Sequence, residues 1–157
     1  NSLMEVERRS ILYHFIFLLL NLRRKICNGF KGYLSMKPDI TGKKDIVIIM
    51  QFFYEKAKAD KVIGHFFTDV VEVNWEKHIP TMSAFWENVL FYTGEYDGNP
   101  LDAHKKIHAQ NATSSLHFER WLRIFNETID QHFSGKNATK MKLHASGISA
   151  VMLQQLL

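Results

Sequence analysis

From Thr41 to Leu157 apolar side chains return at every third or fourth position, and no stretch alternates apolar with polar over the length of a half-buried strand. That rhythm restricts the chain to helices joined by short loops. The first helix is expected from Thr41 or Lys43 to Asp60. It carries one row of Ile46, Ile49 and Phe53 and a second of Val47, Met50, Tyr54 and Ala57. "KVIGHFFTDV" follows as a tight segment with Gly64 as breaker. The second helix covers about Asn74 to Phe91, with His78, Met82, Phe85 and Val89 in one sector and Trp75 and Trp86 beside it. Pro80 is expected to kink its first turns or to mark where regular helix begins. After the loop "YTGEYDGNP", Asn99 caps a third, short helix with Pro100 in its first position; Leu101, His104 and Ile107 or His108 share its inner face. The fourth helix runs from Ser115 to Phe133, with His117, Phe118, Trp121, Phe125 and Thr128 on one side. "SGKN" ends it, and the fifth, from about Asn137, buries Met141, Ala145, Ile148, Met152 and Leu156. The sequence shows neither a glycine-rich phosphate loop nor an internal repeat. The fold class is all-α.

The 157 residues suit one domain with a real core, and 12 phenylalanines supply it with rings. The net charge of +4 is unevenly placed. Arg8, Arg9, Arg23, Arg24, Lys25 and Lys31 face only Glu5 and Glu7 in residues 1–35, so the leader carries the whole excess and residues 36–157 balance. A balanced domain has no global field to collect phosphate backbones, which argues against nucleic acid as a partner. The apolar run "ILYHFIFLLL" at residues 11–20 is about half the length a membrane-spanning helix needs, and "NLRRKIC" after it has no small-residue cleavage site. Residues 1–35 therefore read as an N-terminal extension: an interfacial anchor with its cations among headgroups, an added helix, or sequence upstream of a start at Met36. Residues 36–157 read as the functional domain. Cys27 is the sole cysteine, so no internal disulfide forms and a cytoplasmic setting is expected.

Four polar-tipped side chains lie on otherwise apolar faces: Tyr54, His78, His104 and Trp121. Each has an ordinary explanation, since a buried tyrosine or tryptophan usually gives its proton to a carbonyl and a histidine on an apolar face is usually a satisfied core residue. The combination shifts the balance, because four helices each contribute one and phenylalanines surround them. A flat apolar cofactor with one neutral imidazole on its metal, haem, wants such a set, with His104 as the imidazole and few but well-placed donors facing the ligand. The rival metal reading pairs His104 with His108 for zinc. "HKKIH" lacks the intervening glutamate of HExxH, has no acidic or cysteine third ligand near, and places two lysines beside the ion. A cysteine or serine nucleophile has no support, with Cys27 in the leader and no G-x-S-x-G.

The runs "FFYEKAKADKVIGHFF", "NWEKHIPTMSAFWENVLFYTGEYDGNPLDAH" and "HFERWLRIFNETID" make residues 36–157 resemble the truncated haemoglobins, in particular their third, bacterial group. The resemblance implies a truncated globin fold, a two-on-two helical sandwich around haem b. It implies His104 as the iron ligand, Tyr54 and Trp121 as donors to the bound ligand, and His78 as a lining or gating histidine. Phe53, Phe67, Met82, Phe85 and Trp86 would line or back the pocket, and Lys105, Lys106 or His108 would reach the propionates. The extension before Met36 departs from the family pattern, as does histidine at 108, where relatives often carry proline.

The function so implied is the binding of O₂, NO or a similar diatomic ligand. Two donors imply slow O₂ release, which favours redox chemistry on the held ligand, NO dioxygenation or peroxidase-like turnover, with electrons from a separate reductase. The alternatives are a non-enzymatic gas-binding or haem-handling globin, and a helical interaction module without cofactor.

Overall fold

The computed structural model describes residues 36–157; the expectations for residues 1–35, including the apolar run at 11–20, lie outside the described residues. Those residues form five α-helices and one π-helical turn: α1 Lys43–Ala59, the π-turn Phe66–Val70, α2 Trp75–Phe91, α3 Pro100–Gln110, α4 Ser115–His132 and α5 Lys136–Leu156. No strand occurs among the described residues. α1 packs along α2, α4 along α5, and the two pairs meet where α1 crosses α4 and α2 touches α5. This is the two-on-two arrangement that the resemblance implied. No helix of the described residues is long and apolar enough to cross a membrane.

The core lies where the pairs meet. Ile46, Ile49 and Phe53 of α1, Trp86 and Leu90 of α2, Phe125 and Ile129 of α4 and Met141 and Ala145 of α5 are all buried. Rings give it its order. Phe125 lies between Trp86 (centroids 4.8 Å, 27° between planes) and Trp121 (5.0 Å, 11°), and Phe53 meets Phe125 edge-on at 5.3 Å. Offset stacks and edge contacts are the low-energy geometries for aromatic rings, and each adds about 0.5–1.5 kcal/mol beyond area burial.

Local chemistry sets the ends. α2 starts at Asn74, whose side chain accepts from Lys77 N at 3.2 Å. Helix extends on both sides of Pro80, so the proline does not mark where regular helix begins. At the sixth helical position the proline leaves the Glu76 carbonyl without its usual N–H partner, a cost the packing of the rest of α2 offsets. The α4–α5 corner turns on Gly135, at φ 148°, a left-handed value that favours glycine. A Cβ there would also fall 2.3 Å from Asp39 Cγ. Asp39 uses that close approach to cap α5, accepting from Asn137 N and Ala138 N at 2.9 Å each.

"KVIGHFFTDV" is where local structure departs from simple expectation. After the turn at residues 61–63, Val71 N reaches Phe66 O at 3.2 Å, a bond across five residues that closes a π-turn. The wider turn places Phe66 and Phe67 side by side on a cavity wall.

Candidate functional site

Asn99 accepts from Leu101 N at 3.1 Å and Asp102 N at 3.3 Å, and its own amide donates to Asp102 Oδ2 at 2.7 Å. With Pro100 fixing the first helical φ, α3 begins sharply and extends about three turns, Pro100–Gln110, one turn more than the sequence suggests. No residue of α3 is fully buried, and its inner face leans on the cavity.

His104 lies one turn into that helix. Its Nδ1 is 2.7 Å from Pro100 O. A carbonyl oxygen only accepts, so the ring must donate from Nδ1. The neutral ring then keeps its lone pair on Nε2. A hydrogen bond of this kind from the far ring nitrogen is the device by which proteins set the tautomer of a metal-ligating histidine.

His104 borders a cavity of about 550 Å³ whose wall is mostly apolar. The structure brings all nine residues singled out from the sequence to this cavity: Phe53, Tyr54, Phe67, His78, Met82, Phe85, Trp86, His104 and Trp121. Tyr54 comes from the buried face of α1, where Phe53, Phe67, Trp75 and His78 surround its ring edge-on at 4.8–5.7 Å. Burial pushes its hydroxyl well above the ordinary phenol value, and no hydrogen bond among the described residues counters that shift. His78 projects from the second turn of α2. Burial, and then the neighbouring His104, pull its pKa below the ordinary imidazole value, so it is neutral at pH 7. Its Nε2 is buried without a partner among the described residues. Buried polar atoms are rarely left so, and one lining a cavity marks a place for a ligand.

Sequence reading missed several cavity residues. Tyr96 stands edge-on to Phe85 at 5.1 Å and borders the cavity beside Asn99. His117, noted only as part of a helix face, lines it too, and its Nδ1 accepts from Ser114 N at 3.1 Å in the capping box of α4. Burial, and then His65, lower its pKa. The pattern Ser-x-x-His ahead of an amphipathic run was a signal available in the sequence. Lys105 and Lys106 are exposed and do not border the cavity. His108 faces the loop after α3, where its Nδ1 meets Thr113 Oγ1 at 2.7 Å and Thr113 N at 3.1 Å. His104 and His108 thus engage different partners.

The volume and apolar wall suit a flat ligand of drug size or larger. The set of one imidazole with a free Nε2, an unpartnered phenol and an orphaned second imidazole fits a metal-bearing cofactor such as haem. No family model matches the chain. The group 3 truncated haemoglobin ctb of Campylobacter jejuni is 30% identical over 98 residues, 60% of this chain and 75% of that protein. This chain belongs to the group 3 truncated haemoglobins. A crystal structure of group III truncated haemoglobin from the same organism matches with a TM-score of 0.68 at 26% identity, covering 78% of this chain and 96% of that one. For this truncated haemoglobin the family implies a haem cofactor and small gas ligands, and the cavity bordered by His104 is where the residues present fit one.

Proposed function

We propose that the protein binds haem b through His104 Nε2 and holds O₂, NO or a similar diatomic ligand beside Tyr54 and Trp121, with redox chemistry on that ligand, NO dioxygenation or peroxidase-like turnover. The observation that carries the reading is the His104 Nδ1 to Pro100 O bond, which leaves Nε2 free on the wall of a 550 Å³ apolar cavity. Haem, when bound, supplies an iron position at which a small ligand is held and electrons are exchanged.

The chain's own residues do the rest. The Tyr54 hydroxyl, protonated and without an internal partner, is a donor kept for the ligand. Trp121 offers an indole N–H from another wall of the same cavity. In an apolar, poorly screened site such donors act more strongly than in water and slow ligand loss. His78, held neutral, adds a further polar atom without placing a cation there. Phe53, Phe67, Met82, Phe85 and Trp86 limit water and give a planar apolar ligand its contact area. Turnover draws electrons from a separate reductase, and the sole cysteine suits a cytoplasmic setting.

Absorption spectra of the purified protein with haem, before and after dithionite and carbon monoxide, test the reading. A Soret band that shifts with each addition is expected. Material that stays colourless removes haem binding. Consumption of NO by the reduced, oxygenated protein then tests the redox step, and binding without turnover restricts the protein to gas holding.

A further inference from the structure

The two donors proposed for the ligand come from segments far apart in sequence. Tyr54 belongs to α1, and the turn after α1 delivers Ile63, Phe66 and Phe67 to the cavity; Trp121 belongs to α4. Between these walls the contacts nearest the donors are apolar, such as Phe53 against Trp121 edge-on at 5.7 Å. Contacts of that kind are attractive but weakly directional, and packed helices can slide or roll on them.

Two polar junctions join the same two segments: Lys56 of α1 donates to Thr128 and Gln131 of α4 at the end away from Trp121, and Asp60 meets Arg120 directly beside Trp121. Asp60 closes α1 and spends Oδ1 on the following turn, accepting from Val62 N at 2.9 Å and Ile63 N at 3.2 Å. Its Oδ2 takes two donors from Arg120, Nε at 2.7 Å and a terminal guanidinium nitrogen at 2.6 Å. The carboxylate is 7% exposed and the guanidinium side chain 30%. Arg120 directly precedes Trp121 in α4. Gly64 keeps the turn tight, since a Cβ there would lie 2.6 Å from Lys58 O.

Two charge-assisted donors converge on one oxygen while backbone N–H groups hold the other, so the carboxylate cannot swing and the guanidinium is kept on it, a constraint ring packing does not supply. Its acceptor is also locked to the turn carrying Ile63, Phe66 and Phe67. We propose that Asp60 and Arg120 are positioning residues that set the Trp121 indole relative to Tyr54, and so set how firmly a ligand between them is held. The inference rests on the proposed roles of Tyr54 and Trp121.

The test uses the full chain labelled with 5-fluorotryptophan. Its three tryptophans give three fluorine resonances, and Trp121→Phe assigns one of them. Asp60→Asn and Arg120→Met are expected to shift or broaden the Trp121 resonance, with Arg120→Lys, which keeps the charge but loses the fork, in between. With haem and O₂, Asp60→Asn and Arg120→Met should release the gas about threefold to tenfold faster, as expected for weakening one hydrogen bond. A purely structural pair would lower the melting temperature and leave the Trp121 resonance and the release rate at wild-type values; that result overturns the proposal. Should Arg120→Met fail to fold, Asp60→Asn, which keeps an oxygen for Val62 and Ile63, decides it. The fluorine signal needs no haem, so a chain that takes up none defeats the proposed function while the resonance still judges the pair.

Discussion

Replacing Tyr54 with phenylalanine separates two effects that most substitutions mix. The ring is 6% exposed and held by four aromatic neighbours, so Tyr54→Phe leaves its packing unchanged. What disappears is a hydroxyl on the cavity wall with no hydrogen bond among the described residues. A hydroxyl that opens on a cavity bears only part of the roughly 1–3 kcal/mol cost of a sealed one, so its removal should stabilise the ligand-free protein by about 1 kcal/mol at most. For a domain of this size about 1 kcal/mol corresponds to a rise of roughly 2–8 °C in Tm. With a diatomic ligand present the sign reverses. The donor is gone, and a bond of about 1.5–3 kcal/mol lost from the bound state speeds O₂ dissociation by about tenfold or more. Differential scanning calorimetry of the haem-free protein and flow kinetics of the oxygenated protein give the two numbers. A Tm that falls, with an unchanged off-rate, would show that the hydroxyl makes an internal bond, and the reasoning would fail on both counts.

Three further outcomes are expected. His104→Ala should abolish or greatly weaken haem retention, read as loss of the Soret band after gel filtration, because its Nε2 is the free imidazole nitrogen that the tautomer prepares. Asp39→Ala should lower stability by about 0.5–2 kcal/mol in urea unfolding, the usual value of a helix cap. Burial raises the Asp39 pKa, but bonds from Asn137, Ala138 and Ile40 outweigh it and the net value lies below the usual 3.8. The stability this carboxylate gives is therefore complete above the unfolded value and is lost as pH falls through the lower folded one. Acid titration of the unfolding midpoint should show that loss in the wild type and a smaller one in the variant. Phe125→Ala, which opens the stack between Trp86 and Trp121, should cost about 3–5 kcal/mol by chemical denaturation.

What could be read from sequence was whatever one helix settles for itself. Asn99-Pro100 is a local signal, and α3 starts where it says. The apolar rows of α1 and α4 repeat long enough for their buried faces to be assigned, and Tyr54, Trp121 and His104 duly border one cavity. Interactions across sequence distance were invisible. Nothing near Asp39 announces that it caps a helix 98 positions on, and nothing near Asp60 announces Arg120. The segment before α2 is too short for a period to show, so its π-turn went unforeseen. His108 read as a propionate partner or a solvated helix end because its link to Thr113 depends on how the next loop folds back.

The loop of five residues between Phe66 O and Val71 N makes the chain's length at that point a structural variable in its own right. An α-turn needs one residue fewer, so deleting a single position from Phe66–Val70 would let the backbone relax into ordinary helix. It would also swing the side chains on one flank of the deletion by about 100° about the axis. Phe66 and Phe67 could not then both face inward with Asp60 and α2 still anchored at either end. Point substitutions in this segment can be absorbed by neighbouring rings; loss of one residue cannot.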